Sequence, residues 1–465
     1  MIMKDVPPVE KNKDYEVYIE GLGVNGEGVG RINNYTVFVE DALPGEWVKI
    51  KAVKVKRSYG HGKLLKILQP SGDRIDSRCP VFNRCGGCSL QHYDYKAQLA
   101  YKQNMVRDAL ERIGGLKGIK VLPTLGMDYP WRYRNKAQFP VGEKDGNVAI
   151  GFYAARSYDI IDNPCCPIQH GINDAVIPVI KEYMDAFDVR PYDKATGRGV
   201  VRHVMTRCSF ALDETMVVLV TTQSELPHKE KLIDMLKGAV PSLKGIVQNI
   251  NNKRTSVVLG QRSKVLYGRG YIYDKIGPLK FKISPLSFFQ VNPQQTQVLY
   301  AKALEYADLT GYETVIDAYC GIGTISLFLA QRALKVYGLE IVKQAVEDAK
   351  ENARINNMDN VSFLTGKAED LMADLKLQGI KADVVVLDPP RKGCDAKLLK
   401  AIADIEPERV VYVSCNPATL ARDLKYLTQA GFKVEEVQPV DMFAHTPHVE
   451  TVCLQNVILI RLLIW

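Results

Sequence analysis

Four times in the second half of the chain a short apolar run stops at a turn and gives way to a helical pattern. This rhythm limits the possible fold more than any other feature. The runs lie at residues 314–318, 336–340, 384–387 and 410–413. Short Val-rich runs read as buried strands, and Asn416-Pro417 after the last one reads as a helix cap with proline at the first helical position. Strands that each hand over to a helix predict an open α/β sheet, in which ligands bind outside the carboxyl ends of the strands. Cys415 falls at that edge, where a thiol faces a ligand instead of the core.

Three more segments put polar chemistry at the same edge. Asp317-Ala-Tyr319-Cys-Gly321-Ile-Gly323 is a strand end followed by a glycine turn, which lets a ligand approach the backbone and presents helix N–H groups to it. The turn lacks the third glycine of a dinucleotide fingerprint, with Ser326 in its place. Glu340 closes the second run, where a carboxylate can hold a ribose diol. Asp388-Pro389-Pro390-Arg391 follows the third. Together these segments describe a nucleoside pocket.

These residues, with His448-Val-Glu450-Thr near the end and Ser414-Cys-Asn-Pro-Ala-Thr419, resemble the RNA uracil-5-methyltransferases that use S-adenosylmethionine. The similarity extends over essentially the whole chain. It implies a Rossmann-like class I methyltransferase domain with Cys415 as nucleophile and Glu450 as base. It further implies cofactor contacts from Gln290, Tyr319, Glu340 and Asp388, beside Asp317 and Gly321 of the glycine turn. The chemistry explains the residue types. Uracil C5 attacks a methyl sulfonium only after a thiolate has added to C6, and the C5 proton must then leave so that the thiolate can be eliminated. A thiol with a pKa near 8.5 is only about 3% ionised at pH 7, and bringing it to about 7 takes roughly 2 kcal/mol. The helix after Cys415 supplies about 0.3–1 kcal/mol, so neighbouring donors or substrate-coupled proton transfer must provide the rest.

The chain has 465 residues and a formal charge of +8. That length predicts about three domains, and the basic balance favours a polyanionic partner. Ten cysteines and no charged-then-apolar leader predict a reducing cytoplasm. The apolar stretch 457–465 is interrupted by Arg461 and too short for a bilayer; it reads as the last strand of the sheet. No segment indicates an obligate protein partner.

Between Trp47 and Gly72 there are seven Lys or Arg residues and no acid. Lys49, Lys51, Lys54 and Lys56 alternate with Val48, Ile50, Val53 and Val55. The slip at Ala52-Val53 reads as a β-bulge that keeps the lysines on one side. The segment is similar to a TRAM RNA-binding domain, an OB-like β-barrel expected over 1–70. Cys79, Cys85 and Cys88 follow, with Cys166 as fourth candidate beside Cys165. Four thiolates suit zinc or iron–sulfur by spacing alone; the resemblance to the family's ribosomal branch implies a [4Fe-4S] cluster with Cys166 as fourth ligand. A central α+β domain is expected over 71–91 and 124–280. Its segment 131–136 alternates so that Arg132, Arg134 and Lys136 share one face, toward RNA or toward water. Phe288 or Phe289 can stack a target base that has left its helix, or belong to the core. The methyltransferase domain is expected over 92–123 and 281–465, its first piece holding a helix across 93–114 with Leu99, Val106, Leu110 and Ile113 on one face.

The leading expectation is methylation of a uridine in 23S ribosomal RNA, since the tRNA branch characteristically lacks the barrel and the cysteine cluster. A tRNA substrate is the nearest rival. An RNA cytosine enzyme places a second cysteine after its Asp-Pro, and an amino-methylating enzyme an aromatic after its Pro-Pro; Arg391 stands there instead. A non-catalytic assembly factor would have lost Cys415 or Glu450. A folate-dependent route lacks a flavin fingerprint at the start of the chain.

Overall fold

A computed structural model of the protein describes residues 7–163 and 165–457. Five strands, β1 (Asp14–Leu22), β2 (Gly28–Ile32), β3 (Tyr35–Val39), β4 (Trp47–Val55) and β5 (Tyr59–Gln69), close a barrel in the order β1-β2-β3-β5-β4. In β4, Val48, Ile50 and Ala52 point inward and the lysines outward. The β4–β5 register shifts between Ala52 and Lys54, the expected bulge, which leaves Val53 exposed and not in the alternation. Gly30 permits closure, because a Cβ there would lie 2.3 Å from the Tyr18 carbonyl oxygen. Buried Glu46 fastens the barrel to the following segment by accepting from Arg74 Nε (2.5 Å) and Nη2 (2.9 Å).

Helix α1 (Tyr95–Ala109) starts at Asp94, whose carboxylate accepts from the Lys96 N–H at 2.9 Å, and ends in a π-helical turn over Leu110–Gly114. Val106 and Leu110 are buried as the apolar pattern predicts. Ile113 is exposed, since the wider turn rotates it off the stripe. Gln98 and Lys102 occupy the buried stripe as well, and sequence periodicity did not anticipate them. Strand β6 (Lys120–Val121) follows.

The central sheet comprises β7 (Lys136–Lys144), β8 (Asn147–Tyr153), β9 (Ile160–Asp162), β10 (Val201–Cys208), β11 (Thr215–Thr221), β12 (Leu243–Ile250) and β13 (Arg262–Gly268), with α2 (Asn173–Ala186) and α3 (Lys229–Ala239) packed on its apolar residues. The expected strand across 131–136 is corrected here: β7 begins only at Lys136. Arg132 has φ +55°, a left-handed conformation that interrupts an extended run.

After the hairpin β14 (Ile272–Ile276) and β15 (Leu279–Ile283), helix α4 (Pro293–Ala307) leads into the repeating strand–helix units. These are β16 (Thr314–Ala318), α5 (Thr324–Ala330), β17 (Lys335–Glu340), α6 (Lys343–Ile355), β18 (Val361–Thr365), α7 (Ala368–Leu377), β19 (Val384–Leu387), α8 (Ala396–Ile405), β20 (Arg409–Ser414) and α9 (Pro417–Gln429), followed by β21 (Phe432–Val440) and β22 (Glu450–Val457). The sheet order is β18-β17-β16-β19-β20-β22-β21-β6. Strands β16 to β20 are parallel, and β19, fully buried at the centre of the sheet, is uninterrupted Val and Leu. The chain runs outward from β16 to β18, then returns to β19 on the other side of β16. The crevice therefore opens at the carboxyl ends of β16 and β19. The last described strand is β22, lying between β20 and β21; of the strand expected over 457–465 only Val457 falls within it, and 458–465 lie outside the described residues. Among the described residues no helix is long and apolar enough to cross a membrane.

Candidate active site

The sheet brings the acids and the thiol to one edge. Asp317 is the penultimate residue of β16, Glu340 ends β17, Asp388 directly follows β19 and Cys415 directly follows β20. Because β22 is antiparallel to its neighbours, its first residue emerges at the edge where theirs end. Pairing of Ser414 with Thr451 thus sets Glu450 beside Cys415, and Thr451 Oγ1 donates to the Ser414 carbonyl at 3.1 Å. All five residues line a cavity of about 940 Å³, together with Gln290, Tyr319, Gly321 and Phe288.

One half of the cavity is shaped by the glycine turn. Gly321 (φ +55°) has open space where a Cβ would project, and Gly323 (φ +82°) has none, since a Cβ would meet Phe363 at 2.8 Å. Both Glu340 oxygens accept backbone N–H groups, from Val342 at 2.8 Å and from Gly321 at 3.2 Å. Ser326, the residue in place of a third glycine, donates its hydroxyl to Asp317, whose other oxygen is buried without a partner. Burial pushes the carboxyls of Asp317 and Asp388 each up to about 7. A cation entering this half meets carboxylates that have no other counter-charge close by.

The other half holds the thiol. Asn416 caps α9 by accepting from the Ala418 N–H at 3.0 Å, and its amide donates to the Arg391 carbonyl at 3.1 Å. Thr419 Oγ1 donates to the same carbonyl at 3.3 Å. The Asn-Pro-Ala-Thr segment therefore locks the Asp-Pro-Pro-Arg loop against the cysteine. Burial, then the Glu450 and Asp388 carboxylates, push the Cys415 thiol up to about 11, with the Arg391 guanidinium opposing. Glu450 is raised well above the usual carboxylate range by burial and by Asp388. The helix after Cys415 thus does not leave a resting thiolate; burial dominates, and the acids beside it act in the same direction.

Of the two adjacent phenylalanines, Phe289 is buried in the core and Phe288 stands 71% exposed at the rim. His448 lines the cavity with Phe443, whereas His445 is buried away from it. Sequence reading missed Phe443 and the pair Tyr300–Thr324 (2.9 Å) that stiffens the cavity wall; none of these stands in a local pattern that distinguishes it from core.

The other expected sites are more mixed. Cys79, Cys85, Cys88 and Cys166 line one cavity of about 180 Å³, while Cys165 lies outside it and is exposed. Among the described residues no group of three or more His, Cys, Asp or Glu side chains is placed to hold a metal ion. Arg132 is not free for RNA: it pairs with Asp174 (2.8 Å) and donates to the Cys166 carbonyl (3.2 Å). Arg134 faces the cysteine cavity. On the barrel, Lys49 pairs with Asp14 at 3.3 Å and Lys51 stands opposite Asp14. Lys54 and Lys56 are exposed.

Comparison with known proteins accords with this geometry. Residues 226–457 match the family model described as tRNA (Uracil-5-)-methyltransferase, and residues 8–65 match the TRAM domain. An uncharacterized RNA methyltransferase of Halalkalibacterium halodurans is 56% identical over 97% of this chain and 98% of its own length. Another from Clostridium tetani is 54% identical over 98% of each. The crystal structure of Pyrococcus abyssi tRNA (uracil-54, C5)-methyltransferase in complex with S-adenosyl-L-homocysteine superposes with a TM-score of 0.76 at 28% identity, covering 95% of this chain and 99% of that one. The chain belongs to the S-adenosylmethionine-dependent RNA uracil-5-methyltransferase family and carries an N-terminal TRAM domain.

Proposed function

We propose that the protein methylates C5 of a uridine in 23S ribosomal RNA through a transient bond between Cys415 and C6. The observation that carries the chemistry is the β20–β22 register, which sets Cys415 and Glu450 side by side at the cavity. Bound S-adenosylmethionine would supply the electrophilic methyl group, and Asp317, Gly321, Glu340 and Asp388 would hold it, with Gln290 and Tyr319 on the same wall. Cys415 releases its proton to solvent, its sulfur bonds to C6, and the ring electrons move toward C5 and the C4 oxygen. After C5 has taken the methyl group, Glu450 accepts the C5 proton, the C5–C6 double bond re-forms and the sulfur leaves.

The raised pKa values give this sequence an order. With the cavity empty, burial favours the protonated forms of Cys415 and Glu450. A cation beside Asp388 favours the ionised carboxylates and so moves Glu450 toward the form that a base requires. Arg391 is the cation that favours the thiolate. Phe288 at the rim is suited to stack the extruded uracil.

A [4Fe-4S] cluster held by Cys79, Cys85, Cys88 and Cys166 is part of the proposal. It is supported by the resemblance and by the four thiols bordering a single cavity. Thiols spread around a cavity, and not converging on a point, suit a polynuclear cluster better than a lone ion. Its part would be structural, since the methyl transfer moves no electron.

Exposed Lys54 and Lys56 of the barrel would meet RNA phosphates, with Lys49 and Lys51 weakened by their acidic neighbours. The second reading is a tRNA substrate. It is favoured by a specific observation: the Pyrococcus abyssi tRNA enzyme spans nearly all of this chain, barrel region included. The barrel therefore does not by itself separate the two RNA classes. Labelled methyl transfer to unmodified 23S ribosomal RNA and to tRNA transcripts tests the choice. The proposal expects label in the ribosomal RNA, none with Cys415→Ala, and is contradicted by label confined to tRNA.

A further inference from the structure

Glu450 is reached through a loop, residues 441–449, whose shape is imposed from outside the catalytic sheet. Apart from Phe443 and His448, which line the cavity, the residues of this loop are buried. At its start Asp441 is fully buried and paired with Lys102 of α1, which is also fully buried and 339 residues away in sequence. Lys102 Nζ donates in addition to the Phe443 carbonyl at 3.0 Å, and Tyr95 of the same helix donates its hydroxyl to Asp441 at 2.6 Å.

The middle of the loop is held as firmly. His445 has φ +64°, an unfavourable conformation for a side chain of this size, and is kept there by contacts on every side. Its N–H donates to Gln98 Oε1 at 3.0 Å, and its carbonyl accepts from Ser89 and Leu90, both at 3.0 Å, immediately after Cys88. Trp131 stacks on the ring with centroids 3.9 Å apart. Tyr133 donates to the Ala444 carbonyl at 3.1 Å and Asn292 to that of Met442 at 3.1 Å.

A buried ion pair is a poor means of adding stability, because desolvation offsets most of its attraction; it is better suited to fixing one geometry among several. Gln98 and Lys102 are also the two polar residues in the buried stripe of α1, and both are directed at this one loop. We propose that Lys102 is a positioning residue for methyl transfer: through Asp441 it fixes the loop that delivers Glu450, Phe443 and His448 to the cavity. The proposal rests on the reading of Glu450 as the base. It assigns α1 a part in the step after the sulfur has added, which Cys415, anchored on β20 and α9, does not share.

The test uses the full-length enzyme with Lys102→Met/Asp441→Leu, which replaces the pair with apolar groups and strands no charge, and with Lys102→Arg, which keeps the pair. For the double variant the expected result is an unchanged circular dichroism spectrum, a KM for RNA within about twofold of the parent, and turnover lowered by about tenfold or more. An SDS-stable adduct with natural RNA should accumulate, because addition proceeds and proton removal is slowed. Adduct formation with 5-fluorouridine RNA should be unchanged, and Lys102→Arg should recover most of the turnover. Parental turnover in the double variant overturns the proposal, as does loss of the 5-fluorouridine adduct along with turnover. Glu450→Gln is run alongside. If it accumulates no adduct, the base assignment itself has failed; the clamp is then decided by turnover alone, with a tenfold loss supporting it and a parental rate overturning it.

Discussion

Asp317, Asp388, Cys415 and Glu450 face one cavity, and their protonation is the property from which its chemistry follows. Asp317 and Asp388 are raised to about 7 by burial and Cys415 to about 11. A cationic ligand lowers such values, so its binding expels protons, and by linkage its affinity rises with pH. S-adenosylmethionine binding should therefore strengthen as the pH rises toward about 7 and level off above it. Calorimetry in buffers of different ionisation enthalpy should show proton release, larger for S-adenosylmethionine than for S-adenosylhomocysteine, which lacks the sulfonium charge; proton uptake contradicts this. The thiol follows the same logic. In the free enzyme the alkylation rate of Cys415, followed by peptide mass mapping, should rise about tenfold per pH unit up to about pH 10. A plateau near pH 7 would mean a thiolate already formed. Asp317, Asp388 and Cys415 were legible in the sequence because each lies at the end of an apolar run, whereas Glu450 begins β22 and was marked by the family resemblance alone. Their acidities were not, because these depend on which strand ends adjoin. The sequence reading put Asp388 and Glu450 in the same pocket but looked for donors to Cys415, and did not foresee that burial and these acids raise its thiol.

Single elements hold the site through their ends. Asn416 caps α9 and ties its start to the Arg391 carbonyl. Asn416→Ala should cost about 1 kcal/mol of stability from the lost cap, and should lower turnover further by loosening the Asp-Pro-Pro-Arg loop; equilibrium unfolding and rate together separate the two effects. In α1, Lys102→Met alone strands Asp441 and should cost about 3–5 kcal/mol in urea unfolding, whereas the paired apolar replacement should cost far less. Periodicity marked α1 as a helix but could not show Lys102 as buried, since its partner lies at the far end of the chain. The same limit explains two other outcomes. Alternation placed Arg132 on an open face, yet its positive φ turns it onto Asp174. Of Phe288 and Phe289, only the packing around β15 and α4 selects which one is core.

At the scale of the whole molecule, the proposed function has a barrel, a central sheet and the methyltransferase sheet serve one RNA. The basic run of the barrel was readable, but its acid neighbours on β1 were not, because pairing of β1 with β4 joins distant segments. Replacing Lys54, Lys56 and Arg57 with Gln should lower the salt slope of RNA binding by roughly two, at about 0.7–0.9 per phosphate contact; an unchanged slope would remove these residues from the interface. The three units make sense together only if the RNA presented to them ends up bonded to sulfur. The most direct measurement is therefore denaturing electrophoresis and peptide mass mapping after incubation with S-adenosylmethionine and a 23S ribosomal RNA fragment containing 5-fluorouridine, in which the C5 position carries no removable proton. The account predicts a stable RNA–protein adduct whose crosslinked peptide contains Cys415 and which is absent in Cys415→Ala. An enzyme that methylates unmodified RNA yet forms no such adduct, or forms it through another cysteine, would contradict it.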